Sequence, residues 1–328
     1  MGSIKLLLLK ERTYDISDIV ESVTWSGRKG AAPRNISVSL IDDDSKKQGR
    51  AVVDCEEGQK CIFYWKGKEL FRGIIMSHKQ SESKKMTFKA YDNLIYIANN
   101  KDSFSYEKKT ASYIFQDGMN RLGLPYSEIA DSGHVISELV KPKTTYWDCF
   151  QEAMSQTFKA TRNRFYIISE KGIISFKRRT EFNTQWVVET GVNLMSYSYS
   201  KSIEDTKTRF KLYSKEGTIL METANTELEQ KIGTFQDVDK PSKDDLNDAE
   251  LKELIDSMME EEGSVKKELS INALGTVDAI SGRCVFVIIK HLGIKRTFYI
   301  DEDTHTFTGN YHKMQLKLNF ASKIDEAG

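Results

Sequence analysis

The chain has 328 residues, 39% of them hydrophobic and 29% charged, with Lys+Arg and Asp+Glu both at 48. That length exceeds one ordinary domain and predicts two or three, each burying its own core. A formal net charge of zero argues against a dedicated nucleic-acid binder, whose hold on phosphates needs a basic excess, so no specific nucleic-acid binding is expected.

The first apolar run, 4–9, is followed by Lys10-Glu11-Arg12 and is too short for a signal-peptide core or a membrane span. It predicts a buried first strand, no membrane anchoring and assembly in the cytoplasm. Further strands are predicted at 19–25, 35–41, 60–65, 69–79 and 86–91, several with period-two alternation, as in Ile36, Val38 and Leu40. Trp65-Lys66-Gly67-Lys68-Glu69 reads as a hairpin turn and Gln80 to Lys85 as a polar loop. Residues 1–96 are therefore expected to form a small β-barrel domain.

The period then changes. Residues 92–98 look helical, and Ile114, Phe115, Met119 and Leu122 share one face of a helix over 110–122 that stops at Gly123-Leu124-Pro125. A second helix is expected from a cap at Thr144 or Thr145 through Trp147, Phe150, Met154 and Phe158, before a hairpin at 164–169 and 173–177. Residues 97–186 thus read as an inserted α+β module.

Strands resume at 194–199, 209–213, 218–223, 268–273, 283–289, 297–301 and 314–320, giving a second β-barrel domain over 187–328. An acidic, polar excursion at about 238–263 interrupts it, with a helix from Asn247 whose stripe is Leu251, Leu254, Ile255 and Met258. That excursion is expected to be peripheral and to carry no core. The fold class is accordingly α+β, mainly β.

The search for chemistry returns no catalytic, cofactor or metal residues. Cys55, Cys61, Cys149 and Cys284 lack zinc-site spacing and are expected as reduced thiols. His78, His134, His291, His305 and His312 are scattered, without HExxH, GxSxG or Walker patterns. The nearest approach to a site is Asp301-Glu302-Asp303-Thr304-His305 with His312, read as a solvated turn between two strands. Asp42-Asp43-Asp44 lacks the glycine and glutamate of an EF-hand, with Lys47 in the glycine position. Lys207, Arg209 and Lys211 fall on one strand face and read as solvated. Tyr14, Trp25 and Trp186 are surface candidates for stacking on sugars.

Several ordered segments resemble the late control D or XkdQ-like baseplate hub proteins of contractile tails. Trp25-Ser26-Gly27 followed by Arg34-Asn35-Ile36-Ser37-Val38 resembles the family's opening strands, and Phe71-Arg72-Gly73-Ile74-Ile75 its F-x-G-x-I strand. Ala90-Tyr91-Asp92-Asn93-Leu94 is similar to its exit from the first barrel, and Phe104-Ser105-Tyr106 through Leu124-Pro125 to its strand, helix and G-L-P module. Thr297-Phe298-Tyr299-Ile300-Asp301 to His305, with Tyr311-His312-Lys313-Met314, resembles its closing strands. The resemblance implies two tail-tube-like β-barrel domains and no enzyme: a homotrimer that adapts a six-fold tail tube protein to a three-fold central spike protein, beside other baseplate and tape-measure proteins, in a virion or phage-tail-like particle. The competing expectations are a tail-associated cell-wall hydrolase and a carbohydrate-binding adhesin.

Overall fold

The structure, a computed structural model, describes residues 3–41, 55–80, 85–178, 186–241 and 246–320. It is mainly β, with most helices between two strand-rich segments. Its contacts gather into two compact units, one of Met1–Tyr197 with Ser270–Gly328 and one of Ser198–Leu269.

In the first β segment, Ile4–Leu9 pairs with Lys60–Trp65, and then follow Lys68–Gln80, Lys85–Asp92, Asn35–Ile41 and Val20–Arg28, every pair antiparallel. Setting aside the short flanking strand Thr13–Asp15, these are the first, fourth, fifth, sixth, third and second strands of the segment. The last β segment runs Val187–Glu189, Cys284–Ile289, Ile294–Thr308, Tyr311–Asn319, Lys266–Leu274 and Leu194–Ser202. Counted within their own segment, those strands are again first, fourth, fifth, sixth, third and second. One strand order therefore occurs twice in the chain. A further likeness is that the fifth strand is the longest in each copy and is bulged against the sixth, at Ile75/Ser77 and at Ile300/Glu302. The copies differ in the first pairing, which is antiparallel in one and parallel in the other.

Neither copy closes on itself through the described strands; both lie in one 13-stranded sheet. The 15-residue strand Ile294–Thr308 explains why. Over 294–299 it pairs with Cys284–Ile289, and over 302–307 the same edge pairs with Val20–Arg28 of the first copy. The two barrels expected from the sequence are thus two copies of one strand order, joined by a shared strand. Just before the first strand, Ser3 Oγ donates to Asn310 Oδ1 at 2.8 Å, in the turn that follows that shared strand. Its core alternates through Leu6, Leu8, Ile36, Val38 and Leu40, but also takes in Ile168, Ile280 and Phe307 from later in the chain.

The α+β module has a core of its own, centred on Ile114, Phe115, Met119, Phe150 and Phe176. Its helices start and stop where cap chemistry directs. Thr110 accepts from the Tyr113 N–H before Ala111–Leu122, Gly123 ends that helix with φ at 61°, and Thr145 accepts from the Asp148 N–H before Tyr146–Thr161. The antiparallel pair Lys101–Thr110 and Val135–Thr145 lies beside the helices; the latter strand has a register shift at Lys141/Thr144, around Pro142.

In the second unit, Arg209–Tyr213 lies between Ile219–Ala224 and Gln236–Asp239 in a separate three-stranded sheet. The helix Asp248–Glu262, opened by a capping box of Asn247 and Glu250, lays Leu251 and Ile255 on Phe210 and Leu212. The expectation that 238–263 carries no core is corrected here, because a small sheet with one apolar face needs a cover and this helix supplies it. Ile255 is 1% exposed, and Ile255→Ala is expected to cost about 2–5 kcal/mol. Hydrogen exchange should show that loss in the second unit while the 13-stranded sheet keeps its protection.

Candidate functional site

The family-like segments converge on one buried cluster. Arg34, at the entry to Asn35–Ile41, sends its guanidinium onto Asp303, with Nη1 to Oδ1 at 2.8 Å and Nη2 to Oδ2 at 2.5 Å. The Ser281 N–H donates to the same carboxylate at 2.6 Å. Trp25 lies under the guanidinium, 4.2 Å from ring centroid to Cζ. A Cβ on Gly27 would stand 2.2 Å from Arg34 Nη1, so the glycine of Trp25-Ser26-Gly27 makes the seat for the arginine of Arg34-Asn35-Ile36.

The bulge at Ile300/Glu302 sets what faces inward. Before it, Phe298 and Ile300 are buried; after it, Asp303, His305 and Phe307 are. One extra residue shifts the alternation from even to odd and turns an acid and a histidine into the core. The solvated turn expected over 301–305 is therefore a continuous strand with a buried polar face. His305 Nε2 donates to the Ala279 carbonyl at 3.0 Å, and its Nδ1 shares a hydrogen bond with His312 Nε2 at 2.9 Å. His312 in turn stacks on Phe307 with centroids 4.2 Å apart. A Cβ on Gly275 would fall 2.3 Å from its ring.

Electrostatics make the cluster a clamp. Burial alone would raise the Asp303 carboxyl, but the Arg34 charge, its hydrogen bonds and the His305 contact hold it well below the carboxylate range. Burial, followed by repulsion from His305 and Lys66, pushes His312 down to about 3, so it stays neutral. Asp92 also faces Arg34; burial pushes it up to about 7, against the Leu94 N–H and the Arg34 charge. Two clefts, of about 300 and 380 Å³, are each lined in part by Arg34. Both Asp303 oxygens are engaged, His305 uses both ring nitrogens, and His312 titrates far too low to act as a base near neutrality. The arrangement fixes strands of the two copies together.

These shifts set opposing pH dependences. His312 binds a proton more readily unfolded, so stability falls as pH drops below about 6.5, and Asp303 adds its loss below about 4. The raised Asp92 has the opposite sign, since acidification from about 7 towards 4 relieves a buried charge. The melting temperature should therefore change little between pH 7 and about 4.5 and fall steeply below about 4. In Asp92→Asn the relief is gone, and the midpoint should fall steadily from about pH 6.5 downwards. A calorimetric pH series on both proteins checks this; parallel curves would count against the assignment.

Other sequence candidates are dispersed. His78 meets Glu57 at 2.8 Å, His291 contacts Tyr197, and His134 lies in neither group. Arg209 pairs with Glu229 at 2.8 Å and Lys211 with Glu222 at 3.6 Å, which neutralises much of the basic strand. All four cysteines are buried, and burial pushes the Cys149 thiol up to about 12. Trp25, read as a surface platform, is a core residue, whereas Tyr14 and Trp186 are exposed. Among the described residues no His, Cys, Asp and Glu group could hold a metal, and Asp42-Asp43-Asp44 lies outside them. Sequence reading missed Arg34 and Gly27; the signal was their place within the ordered motifs.

The family model described as YQBQ-like matches residues 23–319. The chain is 35% identical over 319 residues to YqbQ of Bacillus subtilis (strain 168), covering 96% of both chains. It is 34% identical over 319 residues to the phage-like element PBSX protein XkdQ of the same organism, again with 96% of each covered. Among solved structures, the 43 kDa tail protein of prophage MuSo2 from Shewanella oneidensis superposes with a TM-score of 0.74 at 11% identity, over 98% of this chain and 97% of that one. The tail protein from Neisseria meningitidis MC58 gives 0.69 at 11% identity, over 97% and 96%. The E. coli c3393 protein, a type VI secretion component described as structurally similar to T4 tail proteins gp27 and gp5, gives 0.57 at 8% identity, over 93% and 74%.

Proposed function

The chain belongs to the YQBQ-like family, and from that membership we propose that it is the structural baseplate hub of a contractile tail, a homotrimer adapting a six-fold tube to a three-fold spike. The observation that carries this reading is the duplicated strand order. A three-fold assembly can meet a six-fold neighbour without unsatisfied interfaces when each subunit carries two like copies of one module. Three chains then present six. The full-length fold likeness to prophage tail proteins supports the same reading, as does the name of the relative XkdQ.

Its partners are the tail tube protein, the central spike protein and other baseplate and tape-measure proteins, and its place is the baseplate of a virion or phage-tail-like particle assembled in the host cytoplasm. It does no chemistry, and the buried clamp holds the two copies together. In a producing strain lacking this chain, electron microscopy should find no complete tails, and the wild-type chain should restore them. Normal tails in its absence, or a cleared band for the purified protein on a peptidoglycan zymogram, would overturn the reading.

A further inference from the structure

The cleft of about 300 Å³ is lined by the helix Tyr146–Thr161, through Trp147 and Phe158, and by the start of the strand Phe165–Glu170. All its described lining residues fall within Met1–Tyr197 or Ser270–Gly328, so it belongs to one compact unit. Part of its wall is aliphatic, with Leu94, Met154, Ile168 and Ile280 all buried. Its charge is of one sign. Arg28, Lys29, Arg34 and Arg164 line it, with no aspartate or glutamate among the described lining residues, in a chain whose formal net charge is zero. The cleft of about 380 Å³, by contrast, sets Glu69, Glu128, Glu170 and Asp278 among its cations.

Arg34 is committed to Asp303, while Arg28 and Lys29 meet Glu302 and Asp301 at 3.3 and 3.7 Å. Arg164 has no such answer. Its Cζ stands 3.9 Å from the Phe158 ring centroid, and among the described residues its side chain has neither an ion pair nor a hydrogen bond. Arg162, the left-handed cap of the helix, brings a second guanidinium to the same ring at 5.6 Å, again with neither. Two like charges on one ring repel, and an anion beside them relieves that repulsion. We propose that this cleft docks an acidic, apolar segment of a partner protein, with carboxylates on Arg162 and Arg164 and an apolar side chain against Trp147, Phe158 and the aliphatic wall. A guanidinium meets a carboxylate through two parallel hydrogen bonds, and stacking on Phe158 orients Arg164 beforehand. A nucleic-acid strand is the poorer fit, because its bases need open ring faces and the Phe158 ring already carries Arg164. The docking site lies beyond the hub reading and does not need it, since one chain contains the whole cleft.

Fluorescence anisotropy of the full chain with short fluorescein-labelled peptides tests this. A peptide alternating glutamate with phenylalanine is expected to bind at low salt, and its counterpart with lysine in place of glutamate is not. Arg162→Glu with Arg164→Glu should weaken binding by about tenfold or more, since like charges then meet. The thermal transition of that variant should persist, because neither side chain makes an ion pair or hydrogen bond for the fold to lose. Ser155→Trp, at an exposed lining position, should weaken binding by filling the cleft with no change of charge. No binding by the wild type, or equal binding by the charge-reversed chain, would overturn the proposal. So would undiminished binding by Ser155→Trp, which would assign the peptide to surface charge outside the cleft. A labelled oligothymidylate that binds more tightly than the peptide, and is lost in the charge-reversed chain, would give the site to a phosphate chain and equally overturn it. None of these outcomes bears on the mass of the assembled chain, so the hub reading stands or falls separately.

Discussion

Replacing Arg34 with alanine is expected to cost about 3–5 kcal/mol of stability. The side chain of Asp303 is 0% exposed and meets both terminal nitrogens of Arg34, so the truncation leaves a buried carboxylate with only the Ser281 N–H and His305 nearby. Breaking a buried pair from one side costs far more than the pair itself is worth, because the orphaned charge keeps its desolvation penalty. The paired change Arg34→Met with Asp303→Leu should therefore recover most of the loss. Chemical denaturation of the wild type, the two single variants and the double variant measures the coupling. Additive losses would show that the two groups do not act as a clamp.

Gly73→Ala is expected to be nearly as damaging, at about 3 kcal/mol, the upper end of what overpacking costs. A Cβ at Gly73 would lie 2.1 Å from the Tyr91 carbonyl oxygen and 2.7 Å from Phe71 Cζ. The oxygen belongs to the backbone of the neighbouring strand and cannot move without opening the pairing of Lys68–Gln80 with Lys85–Asp92. Two of the family-like segments thus meet at one atom: the glycine of Phe71-Arg72-Gly73-Ile74-Ile75 exists to admit the tyrosine carbonyl of Ala90-Tyr91-Asp92. The shift of the unfolding midpoint checks the size, and a variant as stable as wild type would remove the steric explanation.

Much of the local structure was legible in the sequence because alternation, caps and turns are local. Asn35–Ile41 alternates strictly enough to fix its bounds, and Ile4–Leu9 and Lys60–Trp65 are legible as short apolar runs. Thr110, Gly123, Thr145 and Asn247 mark helix ends by hydrogen bonds within a few residues. The duplicated strand order was not legible, since a β repeat is defined by which strands pair, and different residues can fill the same pleated positions. The polar doublet Asp301-Glu302 looked like a turn because a bulge and a turn both place consecutive polar residues between apolar ones. The helix over the second unit was misjudged for a related reason: a narrow apolar stripe does not say whether it covers its own sheet or another molecule. In the clamp, Asp303 and His305 were visible as a candidate pair, but their partner Arg34 lies 269 residues away from Asp303 along the chain.

The mass of the purified chain in solution, measured by light scattering across a dilution series, bears most directly on the hub. Three times the chain mass of 37.6 kDa, about 113 kDa, is expected and should persist on dilution. A particle of 37.6 kDa at every concentration, or a mass that steps through dimers and tetramers, would contradict a three-fold ring built from the duplicated strand order.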